Sequence, residues 1–180
     1  MNVIETALPG LLILEPKVFG DARGFFMESY NARAFQDATG LTPNFVQDNH
    51  SRSGKGVLRG LHYQIQQAQG KLVRVITGAV YDVAVDIRKG SPTYGQWFGL
   101  ELTEKNKWMM YIPEGFAHGF ATLEDNTIFS YKCTNVYHKA SEDCILWNDE
   151  DLAIDWQLSH PLLSEKDLQG KRFRDFVSLF

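Results

Sequence analysis

Between Leu72 and Arg88 the chain reads L-V-R-V-I-T-G-A-V-Y-D-V-A-V-D-I-R, two strand-length runs joined at Thr77-Gly78. Turns, not crossover helices, join this region to its neighbours, which restricts the chain to antiparallel sheets. Leu11–Leu14, Gly24–Tyr30, Phe45–Arg52, Trp97–Thr103, Trp108–Ile112, Ala117–Leu123 and Thr127–Tyr137 read as further short strands, with a polar turn at Glu104–Asn106. Strands at this spacing imply an antiparallel sandwich or a jelly-roll barrel. Within the central run Val80, Asp82, Ala84 and Asp86 share one face, so two acids are expected to point inward. Val18–Gly24 reads as a turn, and Asn31 as the N-cap of one short helix over 32–38 that Gly40 closes. The tail after Asp149 is expected to pack as short helices beside the strands. No repeat, linker or low-complexity segment divides the sequence, so one domain over 1–180 is expected.

Composition excludes some functions. A net charge of −4 argues against a general nucleic-acid binder, and any anionic ligand requires a local basic cluster. No apolar run reaches membrane-spanning length and the first ten residues lack the form of a signal peptide, so no membrane partner and a cytoplasmic location are expected. Cys133 and Cys144 have neither C-x-x-C spacing nor a secretory context, and read as buried thiols.

The chemistry is sought in two glycine-flanked segments. Val57–Lys71, V-L-R-G-L-H-Y-Q-I-Q-Q-A-Q-G-K, sets His62 between the cations Arg59 and Lys71; Pro113–Phe120, P-E-G-F-A-H-G-F, supplies His118. A histidine in a β protein is more often structural than catalytic, and His50, His138 and His160 read as surface or turn residues. On pattern alone Tyr131 is a core residue, and Asp167 a surface acid or helix cap. No metal is expected, because the His62 segment lacks the H-x-H pair of metal-binding barrels and too few ligands remain for a tight set. Neither G-x-G-x-x-G nor a Walker lysine loop is present, so a nucleotide must be held by side chains, with Phe19, Phe26 and Tyr137 available for stacking.

Eight motifs in order, V-F-G-D-A-R-G-F-F-M-E-S-Y, Q-D-N-H-S-R-S, V-L-R-G-L-H-Y-Q, Q-G-K-L-V-R-V, D-V-A-V-D-I-R, P-E-G-F-A-H-G-F, Y-K-C-T-N-V-Y and L-S-E-K-D, closely resemble the dTDP-4-dehydrorhamnose 3,5-epimerase family from about Phe19 to Asp167. Ala22 stands where the resemblance leads one to expect an acid. The resemblance implies an all-β, metal-free cupin-type jelly roll with a few short peripheral helices, and a homodimer. It also implies that His62 is the proton acceptor, Tyr131 the proton donor, Asp167 the carboxylate paired with the histidine, and Lys71 the lysine near the sugar carbonyl with His118 close by. Arg23, Glu28, Gln47, Asn49 and Arg59 resemble nucleotide and diphosphate contacts, and Glu142 and Lys166 further substrate contacts.

The implied substrate, dTDP-4-dehydro-6-deoxy-glucose, has a C4 ketone that acidifies the hydrogens at C3 and C5. Inversion at either carbon needs a base on one face, a donor on the other, and a cation at the oxygen. No net hydride moves, so no redox cofactor is required. The residues also leave open inversion of one carbon only, movement of the ketone between C3 and C4, or a carbohydrate-binding cupin without catalysis.

Overall fold

A computed structural model describes residues 1–180. Four elements precede the first helix: β1 (Asn2–Glu5), β2 (Leu12–Glu15), β3 (Val18–Asp21) and β4 (Gly24–Met27). Helix α1 (Ala32–Thr39) has the expected caps: Asn31 Oδ1 accepts from the Ala34 N–H, and Gly40 takes the left-handed conformation with φ 73°. The long strands follow: β5 (Gln47–Ser53), β6 (Leu58–Gln64), β7 (Lys71–Thr77), β8 (Ala79–Asp86) and β9 (Trp97–Thr103). Then come β10 (Met109–Ile112), β11 (Phe116–Thr122), β12 (Thr127–Cys133), the short β13 (Glu142–Cys144) and the single-turn helix α2 (Glu165–Leu168).

Two antiparallel sheets face each other, one ordered β1-β2-β10-β7-β12-β5 and the other β13-β6-β11-β8-β9; the sheets do not close into a barrel. Of the two expected forms, the sandwich is therefore the one adopted. Strand β8 shows why its run is apolar on both faces. Val80 and Ala84 meet Val73, Val75, Phe116, Phe120 and Phe129 between the sheets. Val83 and Val85 face outward, where Trp156 and Phe176 of the C-terminal tail cover them. Helix α1 covers the other sheet, laying Phe35 on Leu14, Leu72, Met109 and Tyr111.

Several boundaries differ from the sequence reading. Val18–Gly24 is not one turn: Val18–Asp21 pairs with Gly24–Met27 as a separate hairpin, leaving only Ala22 and Arg23 as its loop. The strand expected to run to Tyr30 stops at Met27, ahead of the N-cap at Asn31. The strand expected to run to Tyr137 ends at Cys133, because its partner β5 begins opposite it at Gln47. The tail forms α2 and one 3-10 turn at Phe173–Asp175, and is otherwise irregular.

Both inward acids of β8 are fully buried. Asp86 is matched by Arg88 at 2.6 Å and by the Ser91 and Thr93 hydroxyls at 2.6 and 2.7 Å. Burial alone would raise its carboxyl, but these hydrogen bonds outweigh burial and hold it at about 2. An unfolded aspartate titrates near ~3.9, so this stabilisation is complete above that pH and disappears as pH falls toward the folded value. Asp86→Asn is expected to cost about 2 kcal/mol of stability at pH 7, with the gap to the parent closing between about pH 4 and pH 2. Urea denaturation across that range measures it; a gap constant with pH would contradict this assignment of the charge.

Candidate active site

The register of β6 and β11 sets His62 opposite His118 in the middle of one sheet. That pairing depends on a close backbone approach two residues earlier. Gly60 has φ 132°, and a Cβ there would lie 2.4 Å from the Gly119 Cα. Gly60 also turns its N–H toward Asp167 Oδ1, at 3.1 Å. The same Oδ1 receives the His62 Nε2–H at 2.7 Å, although the two residues are 105 positions apart.

Asp167 is delivered by α2. Its Oδ2 accepts from the Ser164 hydroxyl at 2.5 Å and from the Ser164 N–H at 3.3 Å, while the Asp167 N–H returns to the Ser164 hydroxyl. This is a reciprocal capping box. Burial works to raise the Asp167 carboxyl, but the bonds from His62, Ser164 and Gly60 prevail and hold it at about 2. It is therefore a carboxylate at neutral pH and can only accept, which places the imidazole proton on Nε2. The opposite nitrogen, Nδ1, has no protein hydrogen-bond partner.

A cavity of about 360 Å³ opens on this imidazole, within the range of small-ligand sites. His62 enters it from β6, whereas Lys71 of β7, Tyr131 of β12, and Gln47 and Asn49 of β5 enter from the facing sheet. Tyr131 is partly buried, and burial raises its phenol, so it is protonated at neutral pH. The Lys71 ammonium belongs to none of the protein's ion pairs. Burial lowers its pKa, with the Asp82 and Glu142 charges acting the other way.

Tyr137 and Glu142 complete the wall. The Tyr137 hydroxyl donates to Glu142 Oε2 at 2.7 Å, and its N–H to Gln47 Oε1 at 2.8 Å. Lys166 forms an ion pair with the other Glu142 oxygen. Burial tends to raise the Glu142 carboxyl, but the bonds from Lys166 and Tyr137 bring it below its ordinary value. Arg59 is exposed and reaches Ser53 Oγ at 3.3 Å.

His118 does not line the cavity. It is buried, with Nε2 held by both Asp82 oxygens at 3.0 Å, and burial lowers its pKa against the pull of that acid. Alternation along the strand places Asp82 inward, but its pairing with His118 is invisible in the sequence. So are the roles of the Gly60 N–H and Ser164, although the S-x-x-D spacing of a cap is present. Gln64 and Gln69 also line the cavity; both stand within the motifs that carry the resemblance, which gives neither a role.

Four expected contacts lie elsewhere. Phe19, Arg23 and Phe26 belong to the β3–β4 hairpin, where they are exposed, and Glu28 follows it, bonded to Asn31. Arg23 is paired with Asp21 of its own hairpin at 2.6 Å. Phe25 rests against the Lys107 ammonium, beyond the end of β10 that pairs with Arg74, while Lys71 pairs with the other end at Ile112. Within one chain, the hairpin and the cavity therefore lie toward opposite ends of β7.

His62, Cys144 and Asp167 bring a nitrogen, a sulfur and an oxygen within 4.8 Å of one another. Their present bonding is not that of a metal site. His62 and Asp167 are bonded to each other, the Cys144 thiol turns to the Ile145 carbonyl at 3.3 Å, and burial pushes that thiol up to about 12.

Residues 5–175 match the family model described as dTDP-4-dehydrorhamnose 3,5-epimerase. The chain is 60% identical over 176 residues to the enzyme of that name from Pseudomonas aeruginosa, covering 97% of each protein. Its fold matches the crystal structure of dTDP-6-deoxy-D-glucose-3,5-epimerase from Legionella pneumophila in complex with dTDP-4-keto-L-rhamnose, with a TM-score of 0.95 and 54% identity over 98% of this chain and 94% of that one. A 3'-monoepimerase from Streptomyces bikiniensis in complex with dTDP-quinovose is also similar, with a TM-score of 0.88 and 32% identity over 96% and 87% of the two chains.

Proposed function

The chain belongs to the dTDP-4-dehydrorhamnose 3,5-epimerase family of isomerases, and we propose that His62, Tyr131 and Lys71 carry out its reaction, the inversion of C3 and C5 in dTDP-4-dehydro-6-deoxy-glucose. The observation that supports these roles is that His62 and Tyr131 enter one cavity from facing sheets. A base and an acid on opposite faces of a sugar ring are what inversion requires. Identity favours the double epimerase over a one-carbon enzyme: 60% to the Pseudomonas aeruginosa enzyme against 32% to the monoepimerase.

At each carbon His62 Nδ1 takes the proton beside the ketone, and the C–H electron pair moves into an enolate with its charge on O4. Asp167 stays ionised and stabilises the imidazolium through Nε2–H. Lys71, which lines the same cavity, is assigned to offset the charge on O4, with the Asp82–His118 pair close by. Tyr131 gives its hydroxyl proton to the opposite face, and imidazolium and phenolate return to their starting states by exchange with solvent. Base and enolate stabiliser are each expected to supply ~3–5 kcal/mol of transition-state stabilisation.

The nucleotide end is assigned to Arg59 for the diphosphate, Gln47, Asn49, Glu142 and Lys166 for polar contacts, and the half-exposed Tyr137 ring for base stacking. Arg23, Glu28, Phe19 and Phe26 fit the same ligand chemistry but do not line this chain's own cavity. A homodimer in which each β3–β4 hairpin serves the partner's cavity reconciles these positions. The hairpin's apolar side chains support that arrangement, since Phe19, Phe25 and Phe26 are 53%, 61% and 67% exposed. A cytoplasmic location accords with two free thiols and the absence of any helix long and apolar enough to cross a membrane.

Two experiments test this reading. Tyr131→Phe removes the donor and almost no volume, so in deuterium oxide His62 can return a deuteron to the face it deprotonated. Label is expected at C3, C5 or both with retained configuration, while net inversion falls by about two orders of magnitude or more. Equal loss of labelling and inversion would contradict the two-face assignment. For the dimer, His62→Asn and Arg23→Ala should each be inactive or nearly so alone. Co-refolded, they should regain activity, because a mixed dimer holds one cavity with an intact His62 and an intact Arg23 from the other chain. No recovery on mixing would place Arg23 in its own chain's site or outside the mechanism.

A further inference from the structure

The Asp167 carboxylate has four bonds, and only one goes to His62. Its Oδ1 holds the imidazole and the Gly60 N–H; its Oδ2 is held by Ser164 alone, through the hydroxyl at 2.5 Å and the N–H at 3.3 Å. In an ordinary capping box the side chain at the third helical position serves only the N-cap. Here that position is an aspartate whose second oxygen is committed to an imidazole on another element. The carboxyl torsion of aspartate is otherwise broad, so a donor on Oδ2 decides which way Oδ1 faces. The Ser164 hydroxyl is that donor, and α2, at four residues, has no length of helix to fix the side chain in its place.

We propose that Ser164 is a positioning residue for the reaction, acting through Asp167 to hold the His62 ring with Nε2 toward the carboxylate and Nδ1 toward the substrate. The proposal rests on the assignment of His62 as base. The capping box thereby acts twice, since one serine both starts the helix and sets the direction of the catalytic imidazole.

The test compares Ser164→Ala, Ser164→Thr, Asp167→Asn and the double variant Ser164→Ala/Asp167→Asn, measuring turnover of dTDP-4-dehydro-6-deoxy-glucose and calorimetric affinity for dTDP. Ser164→Ala is expected to lower kcat by about 10- to 100-fold, by analogy with groups that orient a metal-ligating histidine from behind. KM and dTDP affinity should stay within about twofold, and Ser164→Thr, which keeps the hydroxyl, should recover most of the loss. In the Asp167→Asn background Ser164→Ala should add little, because its route to His62 is already cut. Unchanged kcat in Ser164→Ala, no recovery by threonine, or a full further loss in the Asp167→Asn background would each overturn the proposal. A cap serving only stability would lower the folded fraction and dTDP binding together with turnover. If Asp167→Asn itself keeps full kcat, the dyad reading fails; if it loses activity while Ser164→Ala does not, the positioning role alone fails.

Discussion

The bond between His62 Nε2 and Asp167 Oδ1 is the interaction on which the site depends, and most local peculiarities of the chain serve it. Glycine at 60 lets β6 approach β11 closely and turns a backbone N–H toward the same oxygen. The irregular tail crosses the outer face of the β6 sheet, anchored by Trp156 and Phe176, and so returns α2 to the strand carrying His62. The capping box then settles the last torsion. A charged carboxylate that is almost fully buried would be costly without partners, and here every oxygen has two.

The sandwich meets the second requirement of the proposed reaction, that side chains from facing sheets approach one cavity from opposite sides. Alternation along antiparallel strands sends every second side chain between the sheets. Over most of their area those positions are apolar, from Val73 and Val75 to Phe120 and Phe129. At one end the inward positions change to Gln47, Asn49, Lys71 and Tyr131 on one sheet and His62 and Gln64 on the other. Rigid strands thus hold the polar groups while the apolar remainder keeps the sheets together.

Much of the fold is legible in the sequence because it is local. Gly78 divides two runs whose alternation matches β7 and β8 closely, Trp97–Thr103 is β9 without correction, and Asn31 and Gly40 cap α1 as their residue types suggest. What is not legible depends on partners distant in sequence. Strand β13, at three residues, is too short to show a period, and both it and β1 are strands because β6 and β2 pair with them. The β3 strand is hidden in a glycine-rich stretch that resembles a turn. Closure into a barrel or not depends on sheet edges that no local pattern describes. At the site, spacing marks His62, Lys71 and Arg59 as a cluster, but nothing in it links His62 to Asp167; the family resemblance supplies that link and the geometry displays it. Spacing likewise does not show that His118 is occupied by Asp82, or that the β3–β4 hairpin lies away from the cavity its residues are expected to line.

The central claim is that both stereocentres invert by proton exchange through solvent-equilibrated groups, with His62 taking protons on one face and Tyr131 returning them on the other. Turnover of dTDP-4-dehydro-6-deoxy-glucose by the unaltered protein in deuterium oxide, with the product's label located by NMR, tests it most directly. Deuterium is expected at both C3 and C5, each bound in the inverted configuration. A product inverted at both carbons but free of deuterium would contradict the claim, as would label at only one of them.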